Sequence, residues 1–271
     1  DPECNGQTGP GGGTCQSTEA ACTDNYDNDG DGNTDCSDSD CAAACITPGA
    51  IVITEIMKDP NVVADGSGEW FEVTNTTSAP IDLRGLVIYS NSSNGEETHV
   101  IASANPVTVA PGAFLVLGIS GDPLANGNVT VNYVYTTVTL ANTTDDVIGL
   151  RTAGGTIIDA VSISATTFPN FAGMSLSLDR NQTNATANDN AANWCPAKKK
   201  YNTYDMGSPG AANPLCAPET NCNNTTDDDF DGDVDCADFD CANASNCSTA
   251  QAPQPGDLIV TEIMANPGVG T

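Results

Sequence analysis

Two segments of this chain carry carboxylates at a spacing that suits a hard cation. Residues 22–41 read CTDNYDNDGDGNTDCSDSDC, and residues 222–241 read CNNTTDDDFDGDVDCADFDC, with 10 of the 20 positions identical at an offset of 200. Counting Asp27 as position 1 of a loop, Asp29, Asp31, Gly32, Asp35 and Asp38 fall at positions 3, 5, 6, 9 and 12. Asp227, Asp229, Asp231, Gly232, Asp235 and Asp238 repeat that order. A hard dication takes about six to eight oxygen ligands, and alternate carboxylates on a curling loop converge on one point. Glycine at position 6 permits the sharp turn, and the backbone carbonyl at position 7, of Asn33 or Asp233, can add a ligand. The first copy holds 7 acids and the second 8, with no Lys or Arg in either. Such crowding repels itself unless a cation is present.

The order matches the ligand positions of the EF-hand loop, with Asp in place of the terminal Glu, so Ca2+ is the expected cofactor. Magnesium suits the pattern less, since it keeps its waters and demands near-ideal octahedral geometry. The shorter acid at position 12 points to weak, extracellular-type affinity, about 10⁻⁴–10⁻³ M. No amphipathic helix flanks either loop, and cysteines stand where the helices would. The arrangement resembles thrombospondin type 3 repeats and the Asp/Cys-rich calcium motifs of large bacterial surface proteins. Asp40 and Asp240, with Asp24 in the first copy, are further carboxylates for a second ion. The plain alternative is a solvated acidic linker. Duplicated ligand spacing between cysteines argues against it. A module this small buries little core, so disulfides and metal must stabilise it.

Twelve cysteines fall into two groups of six, at 4, 15, 22, 36, 41, 45 and at 195, 216, 222, 236, 241, 247. Zinc-type Cys-x-x-Cys spacing is absent, and one histidine cannot complete mixed sites. Three disulfides per group are expected, with connectivity open, in an oxidising compartment: secreted or at the cell surface. The net charge of −29 argues against nucleic acid and anionic membrane as partners. No apolar run is long enough to span a bilayer. The chain opens at Asp1 without Met or a leader, which reads as a processed chain or a fragment.

A second repeat sets the organisation. PGAIVITEIMKDP begins at Pro48 and PGDLIVTEIMANP at Pro255. The expected domains are a Cys-rich calcium module at 1–46, a β-sandwich at 47–215, a second module at 216–250, and a linker with a first strand at 251–271. Between the modules, runs such as IVITEIM, EWFEVTN, LRGLVIYS, PVTVAP, AFLVLG, VTVNYVYTTVTL, DDVIGLR and GTIIDAVSI are separated by turn residues. They predict an all-β sandwich, with Phe71 and Val73 on one face and Trp70 and Thr74 on the other. ITEIMKDP, EWFEVTN, APIDLRGLVI, VAPGAFLVLG and DDVIGLRTAGGTIIDAVSI, in that order, resemble the lamin tail domain. That resemblance implies an immunoglobulin-like fold without enzymatic activity. The segment 193–216 resembles the closing segment of bacterial copies, which implies a Cys195–Cys216 disulfide.

Other chemistry is weaker. Glu55, Glu69 and Glu72 could form an acid/base group, but no nucleophile accompanies them, and capping of backbone groups is the better reading. His99 in NSSNGEETHV reads as a surface residue, and Ser67 lacks a nucleophile-elbow context. Lys198, Lys199 and Lys200 are the only basic cluster, either solvated or facing an acidic module of a neighbour. Ten Asn-x-Ser/Thr sequons, at Asn75, Asn91, Asn128, Asn142, Asn181, Asn184, Asn223, Asn224, Asn243 and Asn246, admit glycans. The repeated strand 257–264 suits either further repeats or docking into another copy of the chain. The expected function is a structural repeat of an extracellular fibre or surface appendage. The alternative is a non-catalytic adhesin stalk or targeting module of a larger secreted protein.

Overall fold

The computed structural model describes residues 17–247 apart from Ala20, Ser39 and Phe239. Cys4, Cys15, the Gly/Pro-rich stretch 6–14 and the repeated strand 257–264 with Glu262 lie outside the described residues. The chain divides into two compact units, 1–216 and 217–271.

The first unit is all-β between residues 51 and 196. Its strands are β1 (Ile51–Met57), β2 (Trp70–Asn75), β3 (Ile81–Asp82), β4 (Val87–Ser92), β5 (Gly95–Val100), β6 (Thr108–Val109), β7 (Phe114–Gly118), β8 (Tyr133–Val134), β9 (Asp146–Arg151), β10 (Ile157–Ile163), β11 (Leu176–Leu178) and β12 (Trp194–Pro196). One sheet runs β12-β11-β1-β2-β7-β8, a second β10-β9-β4-β5, and a short ribbon pairs β3 with β6. Ile53, Ile56, Phe71, Val73 and Leu117 from the first sheet meet Ile88, Ile148, Leu150 and Val161 from the second in one buried core. The predicted faces of β2 hold: Phe71 and Val73 enter that core, while Trp70 packs on the opposite side with Met57, Val116 and Val129.

In β1 the core residues are Ile51, Ile53 and then Ile56, a change of parity. The pairing with β2 shifts at the same place, between Ile53 and Glu55, so a bulge there turns Glu55 and Met57 away from the core. At Gly149 a side chain would collide with the ring of Tyr89 at 2.5 Å, so glycine is required where that ring crosses β9.

Three predicted strands are shorter than expected. From VTVNYVYTTVTL only Tyr133–Val134 is a strand, parallel to β7. The Asn132 side chain takes the Val116 N–H at 2.8 Å in place of a backbone partner. Farther on, the Thr137 and Thr139 side chains reach Thr98 and Glu97 on β5, so the run crosses from one sheet to the other. LRGLVIYS begins pairing only at Val87, and PVTVAP contributes only Thr108–Val109. The polar stretch around His99 is instead the strand β5, at the edge of its sheet. A polar edge strand lacks the apolar alternation by which strands are read.

The C-terminal end of this unit, 207–216, lies as a strap over the outer face of β1, β2 and β11. Ser208 N–H donates to Glu55 at 2.9 Å and Gly210 N–H to Glu72 at 2.7 Å. Asn213 Nδ2 donates to the carbonyls of Thr54 and Leu178. The Cys195–Cys216 disulfide closes the strap. Ala43 and Ile46, at the end of the first Cys-rich segment, are buried in the sandwich core. Among the described residues, no helix is long and apolar enough to cross a membrane.

Candidate metal centres in the Cys-rich segments

Each Cys-rich segment is folded by the same pair of cross-links. Cys22–Cys41 and Cys36–Cys45 hold the first, and Cys222–Cys241 and Cys236–Cys247 hold the second. Between them the backbone is turned by its own aspartates, which accept N–H groups a few residues ahead. Asp27 takes Gly30 N–H at 2.7 Å on one oxygen and Gly32 N–H at 3.0 Å on the other. Asp29 accepts from Asp31 N–H, and Asp31 from Asn33 N–H and its side-chain amide. Asp227, Asp229 and Asp231 repeat these bonds to Gly232, Asp231 and Asp233. Gly32 and Gly232 sit at φ of 99° and 104°, where a side chain would be strained.

These turns gather carboxylates into two adjacent groups that share a member. Glu19, Asp27 and Asp29 each bring an oxygen within 4.8 Å of the others, as do Asp29, Asp31 and Asp38. The second copy places Glu219, Asp227 and Asp229 together, and Asp229, Asp231 and Asp238 together, in the same way. In the first copy Glu19 also meets Asp24 and Asp35. Part of each set is withdrawn from water: Glu19 is 3% exposed, Asp27 4% and Asp38 2% in the first copy, and Glu219 4%, Asp229 1% and Asp238 2% in the second, while Asp31 stays exposed. Asp38 Oδ2 and Asp227 Oδ1 are shielded from solvent yet accept no hydrogen bond from the protein. A buried carboxylate oxygen without a donor is costly, and a cation resolves the cost. The oxygen-only donor set fits a hard ion such as Ca2+. Burial, and then the neighbouring Asp229, Asp238 and Asp233, raise the Asp231 carboxyl above its ordinary range.

Of the sequence-predicted ligands, Asp27, Asp29, Asp31 and Asp38 are brought together, as are Asp227, Asp229, Asp231 and Asp238. Asp35 and Asp235 do not join the groups built around Asp29 and Asp229. Their carboxylates receive the N–H groups of Asp24 and Asn25, and of Asn224 and Thr225. Asn33 and Asp233 donate their own N–H groups to the position 5 aspartates. Asp40 and Asp240 each donate their backbone N–H to Asp38 or Asp238 at 2.6 Å. Glu19 and Glu219 were not singled out by the loop spacing. Both stand three residues before a repeated cysteine, Cys22 or Cys222, at the same offset of 200. That recurrence is the sequence signal for them.

The sandwich acids hold structure together. Glu55 accepts Ser175 Oγ–H and Ser208 N–H, Glu72 accepts Thr54 Oγ–H and Gly210 N–H, and Glu69 accepts Leu140 N–H. Burial pushes Glu55 up to about 7 and Glu69 up to about 8. His99 is half-buried, its Nε2 2.8 Å from the Tyr133 hydroxyl. Lys199 and Lys200 are exposed. Asn75 is buried at 1% exposure and spends its side-chain N–H groups on Ala79 and Val109, so the fold closes that sequon.

No curated protein matches the chain. Residues 46–165 match the family model of the lamin tail domain. That segment begins at the buried Ile46 and runs through β10, so the match takes in β1 to β10 and leaves β11 and β12 beyond it.

Proposed function

We propose that the chain is a structural section of an extracellular fibre or surface appendage, with a lamin-tail-like sandwich bracketed by calcium-stiffened, disulfide-bonded modules. One observation carries this reading: two segments 200 residues apart gather the same acids around the same shared aspartate. A solvated acidic linker has no reason to gather the same Glu/Asp set twice with three of its five acids buried each time. Calcium would be held by Glu19, Asp27, Asp29, Asp31 and Asp38, and by Glu219, Asp227, Asp229, Asp231 and Asp238. The role of the ion is mechanical. It neutralises converging carboxylates and fixes a loop that has almost no apolar core of its own. Disulfides favour an oxidising, extracellular location. Copies of the chain, arranged head to tail, are the natural partners of such a section.

Electron microscopy of the native material, with and without chelator, tests this. Regular fibres that lose stiffness or order on chelation are expected. Discrete particles indifferent to chelator would overturn it and favour the adhesin-stalk or targeting reading.

A further inference from the structure

Away from the acidic loops, one lysine is buried against an asparagine. Lys58 follows the last residue of β1 and is 4% exposed. Its Nζ donates to the backbone carbonyl of Asn142 at 2.8 Å, across 84 residues of sequence. The side-chain amide of Asn142 is held from one end only. Nδ2 donates to Asp65 Oδ2 at 2.9 Å, while Oδ1 is shielded from solvent and accepts no hydrogen bond. A buried amine therefore lies against the backbone of a half-buried asparagine whose side-chain nitrogen is held by a carboxylate, with the amide oxygen shielded and left open.

From this juxtaposition we propose that Lys58 and Asn142 form an intramolecular amide bond, with Asp65 as the group that carries the proton. The reaction needs no external reagent. The neutral Lys58 Nζ attacks Asn142 Cγ, so the Nζ–Cγ bond forms and the Cγ–Nδ2 bond breaks. Asp65 relays one hydrogen from Nζ to Nδ2, which departs as ammonia, and Nζ remains as the N–H of a secondary amide. Amide bonds do not exchange in this way between free side chains in water. Fixing the partners side by side supplies the large effective molarity that the intramolecular case requires. Burial lowers the Lys58 amine below its ordinary range, although Asp59 and Asp146 oppose the shift. Desolvation of this kind is what makes a lysine nucleophilic. Glu69, which accepts the N–H of Leu140 two residues before Asn142, is raised to about 8 by burial and so adds a neutral acid to the surroundings.

The product is also the better occupant of the site. A buried ammonium with one carbonyl partner and an orphaned amide oxygen are both costly. The amide removes the charge and joins the end of β1, in one sheet, to the segment that enters β9, in the other.

The test is the intact mass of the full chain, expressed without glycosylation and measured after disulfide reduction. The expected mass is lower than that of the sequence by one ammonia. Digestion should yield a branched peptide containing both Lys58 and Asn142. Lys58→Arg and Asp65→Asn should both restore the full mass, with circular dichroism confirming that each variant remains folded. A full mass in the parent chain overturns the proposal. Loss of ammonia with Lys58 recovered in a linear peptide also overturns it, since that result marks succinimide formation at an asparagine.

Discussion

Three glutamates in the sandwich keep their carboxyls out of water, and their titration fixes the sign of a pH effect. Burial lifts Glu55 to about 7 and Glu69 to about 8 from an ordinary 4.5. Burial and the charge of Glu55, its cross-strand neighbour, raise Glu72 as well. These groups hold protons in the folded chain that the unfolded chain has released. Folding therefore takes up protons between about pH 4.5 and 8, and stability falls as pH rises through that window. Most carboxylates in folded proteins act in the opposite direction. Glu69→Gln should flatten part of the slope, because the amide oxygen still accepts the Leu140 N–H without ionising. The check is the melting temperature from pH 5 to 8 at saturating calcium. An unchanged slope in the variant would show that Glu69 does not carry the effect. At the candidate metal groups, Glu219→Gln removes one charge from the Glu219–Asp227–Asp229 group and, on the proposed reading, should weaken calcium binding about tenfold. Titration calorimetry measures this, and an unchanged affinity would remove Glu219 from the ligand set. The four aspartates that each copy gathers across its two groups were legible from loop spacing. Glu19 and Glu219 were not, since they lie before the loop, on the far side of Cys22 and Cys222 from it.

At the scale of elements, what sequence conceals is what covers a strand from outside. Alternation in EWFEVTN correctly places Phe71 and Val73 in the core and Trp70 opposite. It does not show that all seven residues of β1 are buried. At Thr54 and Glu55 that follows from the strap 207–216, whose Pro, Gly and Asn residues read as a loop and give no periodic signal. The bulge in β1 is hidden for a similar reason, because a one-residue shift in pairing leaves no mark on composition. The strap is held by few, well-buried bonds, so single changes in it should be felt. Asn213→Ala leaves the carbonyls of Thr54 and Leu178 without their donor, and loss of a buried partner costs about 1–3 kcal/mol. Chemical denaturation should show a drop of that order in the midpoint stability of the sandwich. A loss below about 0.5 kcal/mol, the range of ordinary surface changes, would mean that the strap is dispensable.

At the scale of the whole molecule, two segments of nearly matching sequence stand in different structural company. The first ends in Ala43 and Ile46, which are buried in the sandwich core, and Gly49 N–H donates to Ile158 O at 2.7 Å just beyond. The second belongs to the unit 217–271, where Cys241 is the only buried apolar side chain among the described residues. Disulfides limit how far either loop can spread, but they do not offset the repulsion of its converging carboxylates. Removing calcium should therefore affect the two copies unequally. The segment 217–247 has little apolar packing of its own to keep it ordered. Residues 41–46 retain apolar contacts whose stability does not depend on an ion. Limited proteolysis in chelator, followed by mass spectrometry, should find early cuts within 217–247, later cuts within 21–35, and a resistant core from 46 to 216. Restoring calcium should suppress both sets of cuts. Equal cutting of the two segments would mean that packing against the sandwich adds nothing. Resistance of both in chelator would mean that the cross-links suffice and that the acids have no mechanical role.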